Sequence, residues 1–390
     1  LTPPLFAGIL LRDALHMRIL LLLGCAICAL SFSATARAEA KPSLANQLEV
    51  IRAKYNVPAL GGAIFTTDGL QEIAVTGVRK RGDPTPATKD DLWHLGSDTK
   101  AMTAALLGTY VAEGKIRWDD KVTVYFPEIA SQIPAANRDV TLTQILEHKA
   151  GLPANLPWGE RFLDAFVRTD SLVEERRAAA RRALLSPAYL PGAFHYSNCD
   201  YVVIGAIVEK IGGRPWEDLL RERIFQPLGM TSPGFGGLGT PGRVDQPWPH
   251  NGNGDPMPAN GPAIDNPPVM GPAGTIHCTM TDWSKFLVDQ LRGGCGEKAL
   301  LPPEIYQAMQ TDPASKGDGY AFGWGVCPRD WAGGKALNHA GSNTMNFCDA
   351  WLAPAKKFGV LVVCNQGGDA AAKAADDACF MLIQRHQAAP

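Results

Sequence analysis

The chain has 390 residues, 46% hydrophobic and 19% charged, a globular composition with enough apolar side chain for a large core. A formal net charge of -2 argues against a partner held by a broad positive field, so neither nucleic acid nor an anionic membrane surface is expected. Beyond residue 38 there is no Cys-x-x-Cys, and the chain has no His-Glu-x-x-His and no tight Cys/His cluster, so neither a structural zinc, a metallohydrolase nor any other cofactor is expected.

Met17-Arg18, the apolar run 19–32 and Ala36-Arg37-Ala38 follow the order of a secretory signal peptide. Cleavage is expected after Ala38, with residues 1–16 lying upstream of the start methionine. The apolar run is too short to span a bilayer comfortably, and few apolar residues precede Cys25 in the lipoprotein-like Leu22-Leu23-Gly24-Cys25. A periplasmic or secreted protein without a stable membrane anchor is therefore expected. Seven cysteines follow the cleavage point, and an odd number leaves at least one thiol without an internal partner. Cys348 and Cys364 lie equally far from a turn at 354–357 and are expected to face each other across a hairpin.

Residues 43–55 have helical periodicity, and 60–67 and 70–78 read as strands joined at Asp68-Gly69. A polar linker, 79–91, leads to a helix that contains Ser97 and ends at Gly114. From there to about 228 the pattern is mainly helical. Capping boxes are expected at Thr141-x-x-Gln144 and Ser171-x-x-Glu174, and helices at 200–211 and 216–225. Residues 231–272, dense in Gly, Pro and Asn, read as a long ordered loop. A helix capped by Thr281 should cover 281–291. Strands follow at 320–327, 336–342, 346–352 and 358–364, and a last helix at 370–386. Strands at both ends with helices between them predict an α/β (α+β) architecture. One antiparallel sheet is covered by the first and last helices and interrupted by a mainly helical lobe. A single domain over 39–390 is expected, its sheet lobe at about 43–92 and 270–390 and its helical lobe at about 93–269.

Three short motifs carry the chemistry. Ser97 and Lys100, the only Ser-x-x-Lys in the chain, share a helix face. The lysine can deprotonate the serine if burial lowers its pKa, and the helix N-terminus favours developing negative charge. Tyr196-Ser197-Asn198, the only Tyr-x-Asn, precedes a helix. Its phenol can shuttle a proton if a cation such as Lys100 depresses its pKa, and its amide can hold a substrate carbonyl. A capping asparagine beside a half-buried tyrosine is the structural alternative. His339-Ala340-Gly341 is one of three His-x-Gly matches. It is selected because it lies in a strand between hairpin partners, where a substrate could pair and Gly341 would let it come close. A bulge with a solvated histidine is the alternative there.

In this order and context the motifs resemble those of the serine β-lactamase and penicillin-binding protein superfamily. They look most like the group around class C β-lactamases, D-Ala-D-Ala carboxypeptidases and related esterases. Leu146-Glu147-His148-Lys149-Ala150-Gly151-Leu152, Pro227-Leu228-Gly229-Met230 and Gly271-Pro272-Ala273-Gly274 also match the family's pattern. The resemblance implies a β-lactamase/transpeptidase-like fold with Ser97 as acylated nucleophile, Lys100 as proton acceptor and Tyr196 as proton shuttle. It implies Asn198 as the substrate-amide contact, His339-Ala340-Gly341 as the third motif, and the backbone N–H groups of Ser97 and Ser342 as an oxyanion hole. The third motif departs from the Lys-Thr-Gly or Lys-Ser-Gly usual in β-lactamases. A histidine with an ordinary pKa of about 6.5, lowered by a nearby lysine, is neutral at pH 7 and weakens carboxylate recognition. The expected activity is therefore acyl transfer from a small-molecule or peptide ester or amide to water, with esterase or peptidase chemistry ahead of true β-lactamase or D-Ala-D-Ala carboxypeptidase activity. A non-catalytic binding protein on the same fold is the remaining alternative.

Overall fold

The computed structural model describes residues 42–156, 171–259, 264–313, 315 and 317–388. The signal-peptide stretch, with its cleavage site and Cys25, lies outside the described residues.

In chain order, helix α1 (Leu44–Tyr55) starts at Ser43, whose hydroxyl accepts from the Asn46 N–H, and ends in a left-handed Asn56. Strands β1 (Ala59–Thr66) and β2 (Gly69–Gly77) follow, then a short strand β3 (Leu92–His94), a 3-10 turn (Gly96–Asp98) and α2 (Thr99–Ala112). The helical part continues with α3 (Leu142–Leu146), α4 (Leu172–Leu185), α5 (Asn198–Gly212) and α6 (Trp216–Leu220). Next come β4 (Gly234–Phe235), α7 (Gly271–Gly274), β5 (Ile276–Thr279), α8 (Met280–Gly294) and α9 (Pro303–Met309). The chain closes with β6 (Gly319–Tyr320), β7 (Gly325–Arg329), β8 (Gly334–Ser342), β9 (Phe347–Ala353), β10 (Phe358–Cys364) and α10 (Gly368–Gln387).

Seven strands form one antiparallel sheet in the order β2-β1-β10-β9-β8-β7-β6, so the first strand pairs directly with the last. Adjacent glycines in β1 show how tightly both faces are covered. A Cβ on Gly61 would meet Met280 of α8 at 3.0 Å, and one on Gly62 would meet Leu382 of α10 at 3.1 Å and Leu48 of α1 at 3.3 Å. Leu48, Leu60, Ile64, Val360, Val362 and Leu382 form the core under the terminal helices, each stabilising the fold by about 1.5–3 kcal/mol. The opposite face shares its core with α2 and the helical part. From Thr99 to Tyr110 every residue of α2 is buried, as suits a helix that is apolar or small on all sides.

Several expectations change in detail. A second sheet, β3-β5-β4, was not foreseen because its strands are only two to four residues long. The strand expected at 320–327 is two strands, β6 and β7, separated by a turn in which Gly323 has φ +84° and packs on the backbone of α2. Helix α8 is capped by Thr279, not Thr281, since the Thr279 hydroxyl accepts from the Asp282 N–H. Thr141 and Gln144 make the full reciprocal capping box, while Ser171 caps α4 through the Glu174 N–H. Cys348 and Cys364 do not face each other. Cys348 pairs with Val363 and Cys364 with Phe347, a one-residue offset that sends the two thiols to opposite faces of the sheet. All seven cysteines of the described residues are free thiols.

Candidate active site

Ser97 sits in the 3-10 turn just ahead of α2, where first-turn N–H groups have no acceptor within the helix. The turn is pressed against β8. Gly96 has φ +46°, and a Cβ there would lie 2.3 Å from the Ser342 nitrogen; a Cβ on Gly341 would lie 2.0 Å from the Leu95 carbonyl oxygen. Gly341 is therefore required for the strand to approach the serine turn, rather than for a substrate to approach the strand. This packing sets the Ser342 N–H beside the residue that precedes Ser97.

Lys100, in the first turn of α2, is fully buried. Its Nζ donates to Ser97 Oγ (3.0 Å), Asn198 Oδ1 (2.8 Å) and the Ala273 carbonyl (2.7 Å). All three acceptors are neutral. Burial pushes the amine down to about 7, against the opposing pull of Asp98 and Asp200. Burial in turn raises both of those carboxyls well above the usual range, which favours their neutral forms. Near neutral pH much of Lys100 is thus a free amine hydrogen-bonded to a serine hydroxyl, the state a general base needs.

The second motif arrives on the turn before α5. Ser197, not Asn198, is the cap: its hydroxyl accepts from the Asp200 N–H (3.2 Å) and donates to the Pro153 carbonyl (2.7 Å). That frees the Asn198 side chain to span the cleft, its oxygen on Lys100 and its Nδ2 donating to Asn155 Oδ1 at 2.8 Å. The Tyr196 ring lies 4.8 Å from Lys100 Nζ. The expected depression of its pKa does not occur. Desolvation raises it, and the neighbouring Ser97 hydroxyl offsets only part of the rise. Tyr196 therefore stays a protonated phenol, able to donate and relay a proton rather than act as a standing phenolate.

His339 is not the solvated histidine of a bulge. It is buried on β8 between β7 and β9, with Nε2 3.0 Å from the Tyr320 hydroxyl. Burial, and then Lys100, hold its pKa at about 3, so it is neutral at pH 7 as expected. The Ser342 hydroxyl is occupied within its own turn, donating to the Asn346 carbonyl (2.7 Å) and accepting from the Thr344 N–H (2.9 Å). Its backbone nitrogen is the atom packed closest to the serine turn, 2.3 Å from where a Cβ on Gly96 would lie.

Several further participants were given no role from the sequence. Asn155 and the Ala273 carbonyl reach the site only through tertiary packing. His148, whose stretch matches the family pattern, takes a left-handed φ of +57°. Its Nδ1 lies 2.8 Å from Asp200 Oδ2, and its ring is 4.4 Å from Tyr196 and 4.8 Å from Tyr320 between ring centres. Beneath Ser97, the Cys348 thiol lies 3.1 Å from both the Leu95 carbonyl and Asp98 Oδ2. Among the described residues no group of three or more His, Cys, Asp or Glu could hold a metal ion.

Comparison with known proteins places the chain in a family. The chain is 27% identical to penicillin-binding protein 4 of Amycolatopsis lactamdurans over 347 residues, 82% of this chain and 84% of that protein. A putative D-alanyl-D-alanine carboxypeptidase of Escherichia coli (strain K12) is 29% identical over 160 residues, 40% of this chain and 36% of that protein. Among solved structures, the octameric penicillin-binding protein homologue from Pyrococcus abyssi superposes with a TM-score of 0.71 at 25% identity, over 87% of this chain and 77% of its own. The sequence model of the family described as Beta-lactamase matches residues 44–379, and the chain belongs to that family.

Proposed function

We propose that the protein is an exported serine hydrolase that forms an acyl-enzyme on Ser97 and acts on a neutral ester or amide. The observation that carries this reading is Lys100, a buried amine held near neutral pKa and bonded to Ser97 Oγ at 3.0 Å. A binding protein would gain nothing from an unpaired buried lysine, which costs stability. Lys100 takes the Ser97 proton as the oxygen attacks the substrate carbonyl, and the Ser97 and Ser342 N–H groups receive the resulting oxyanion. Protonated Tyr196 gives its proton to the departing alcohol or amine and recovers one from the attacking water in the second half-reaction, while Lys100 returns its proton to Ser97 Oγ as the ester bond breaks and the acid is released. Asn198 holds the substrate amide or carbonyl. Export rests on the order of basic, apolar and Ala-x-Ala segments over 17–38.

A neutral His339 where a β-lactamase has lysine offers a substrate carboxylate a dipole rather than a charge, which favours esters or neutral peptides over penicillins. The penicillin-binding and carboxypeptidase relatives support the second reading, a D-alanyl-D-alanine carboxypeptidase. Covalent trapping separates the two. Mature protein and Ser97→Ala are treated with a fluorophosphonate and, separately, a labelled penicillin, and the adducts are mapped by mass spectrometry. Fluorophosphonate alone on Ser97 supports the esterase or peptidase; both labels on Ser97 move the assignment to the carboxypeptidase or β-lactamase; neither label on Ser97 defeats the acyl-enzyme.

A further inference from the structure

The two proposed oxyanion donors belong to segments that meet only in the folded protein, the turn at Ser97 and the end of β8. A buried bridge joins the residue before the first donor to the residue after the second. The Gly96 N–H donates to His94 Nδ1 at 3.0 Å, which fixes the imidazole proton on Nε2. Nε2 lies 2.8 Å from Asp265 Oδ1, a close polar contact off the line of a straight hydrogen bond. The same Oδ1 accepts from Asn343 Nδ2 at 3.1 Å. On its other side, Asn343 Oδ1 accepts from the N–H groups of Met345 (3.3 Å) and Asn346 (3.0 Å) and from Asn346 Nδ2 (3.1 Å), which locks the turn after Ser342. His94, Asp265 and Asn343 are each less than a tenth exposed.

We propose that His94, Asp265 and Asn343 are positioning residues, forming a strap that holds the Ser97 and Ser342 N–H groups at the spacing an oxyanion requires. This rests on the acyl-enzyme reading above. The mechanism needs such a device because Gly96, with φ +46°, is a flexible residue at the very point where the spacing is set. The strap takes its polar partners on both flanks of the proposed hole and makes no hydrogen bond to Ser97 or Ser342 in the described contacts. Donors preorganised toward the developing charge are worth most when they need not move during reaction. None of the three residues touches Lys100 or Tyr196 in the described contacts, so the strap acts on the hole and not on the base.

The test is steady-state hydrolysis of a p-nitrophenyl ester, with inhibition by phenylboronic acid, whose tetrahedral adduct on Ser97 places an oxygen in the hole. His94→Ala and Asp265→Ala should each lower kcat by roughly tenfold or more, short of the loss of a whole donor. KM should stay within about twofold, and boronate inhibition should weaken in step with kcat. The midpoint of the pH profile, set by Lys100, should not move. The double variant should be no worse than His94→Ala, as expected of residues acting as one unit. His94→Asn, whose amide oxygen can replace Nδ1 as acceptor for the Gly96 N–H, should recover part of the loss. Unchanged kcat and boronate affinity in a folded variant would overturn the strap, as would a loss accompanied by a moved pH midpoint. If His94→Ala does not fold, His94→Asn and Asp265→Asn make the same comparison. Failure of the underlying reading shows separately, as wild-type protein that takes no fluorophosphonate on Ser97.

Discussion

Lys100 and Arg176 are both fully buried, yet their surroundings are opposite. Arg176 on α4 is saturated. Its guanidinium pairs with Glu209 and, at 2.8 Å, with Glu217, and donates to the Val269 and Pro268 carbonyls. It ties α4 to α5, α6 and the turn before α7. Lys100 meets only neutral oxygens and drops to about 7. Burial alone does not make a reactive group; the partner set decides. Carboxylates keep a buried cation charged and structural, whereas neutral acceptors let a buried amine give up its proton at working pH.

The largest effect should come from the reactive side. Lys100→Met should lower kcat/KM for an ester by about 10²–10⁴-fold while disturbing thermal stability less than Arg176→Met does. A Lys100→Met protein with near-normal turnover would break the contrast. Arg176→Met should give the mirror result. It leaves the Glu209 carboxyl, which burial already pushes up to about 7, without its cation. Denaturant unfolding should show a loss of about 3–5 kcal/mol, with kcat of the folded fraction nearly unchanged; a loss of kcat at full stability would make Arg176 part of the site.

Two smaller effects sharpen the contrast. The base is the deprotonated amine, so kcat/KM should rise with pH and level off above about 7. Asn198→Asp would place a carboxylate against Nζ, which holds the proton more tightly and should move that limb upward by about one unit or more. A profile that ignores the substitution would show that Lys100 is not the titrating group. The smallest change is expected at the third motif. His339→Lys should improve relative turnover of carboxylate-bearing substrates over neutral ones by about tenfold or less, since one added partly buried charge pair contributes of order 1 kcal/mol. No change in that ratio would remove His339 from substrate recognition.

The outline of the fold was legible where signals are local. Thr141 and Ser171 cap their helices as read, because a cap bonds within three residues. The strands at both ends were placed by alternation and turn residues, and their union in one sheet follows from burial. Ser97 and Lys100 could be paired because a three-residue spacing fixes one helix face. Local reading failed where two threonines compete for one cap, at α8, and where a strand-like stretch folds back at Gly323 to meet α2.

By itself, the sequence determined which residues could do chemistry and the order in which the chain presents them, since residue type and short spacings are properties of the chain. The tertiary structure alone decided their electrostatic state. Lys100 takes its partners from Asn198 and Ala273, and the Asp265 bridge reaches both Gly96 and Asn343 across unconnected segments. Tyr196 was expected to be lowered and is raised, because desolvation outweighs the effect of the neighbouring Ser97 hydroxyl. Cys348 and Cys364 miss each other by one residue of register. Desolvation and register are set by what packs against a residue from far along the chain, and no short stretch of sequence contains that information.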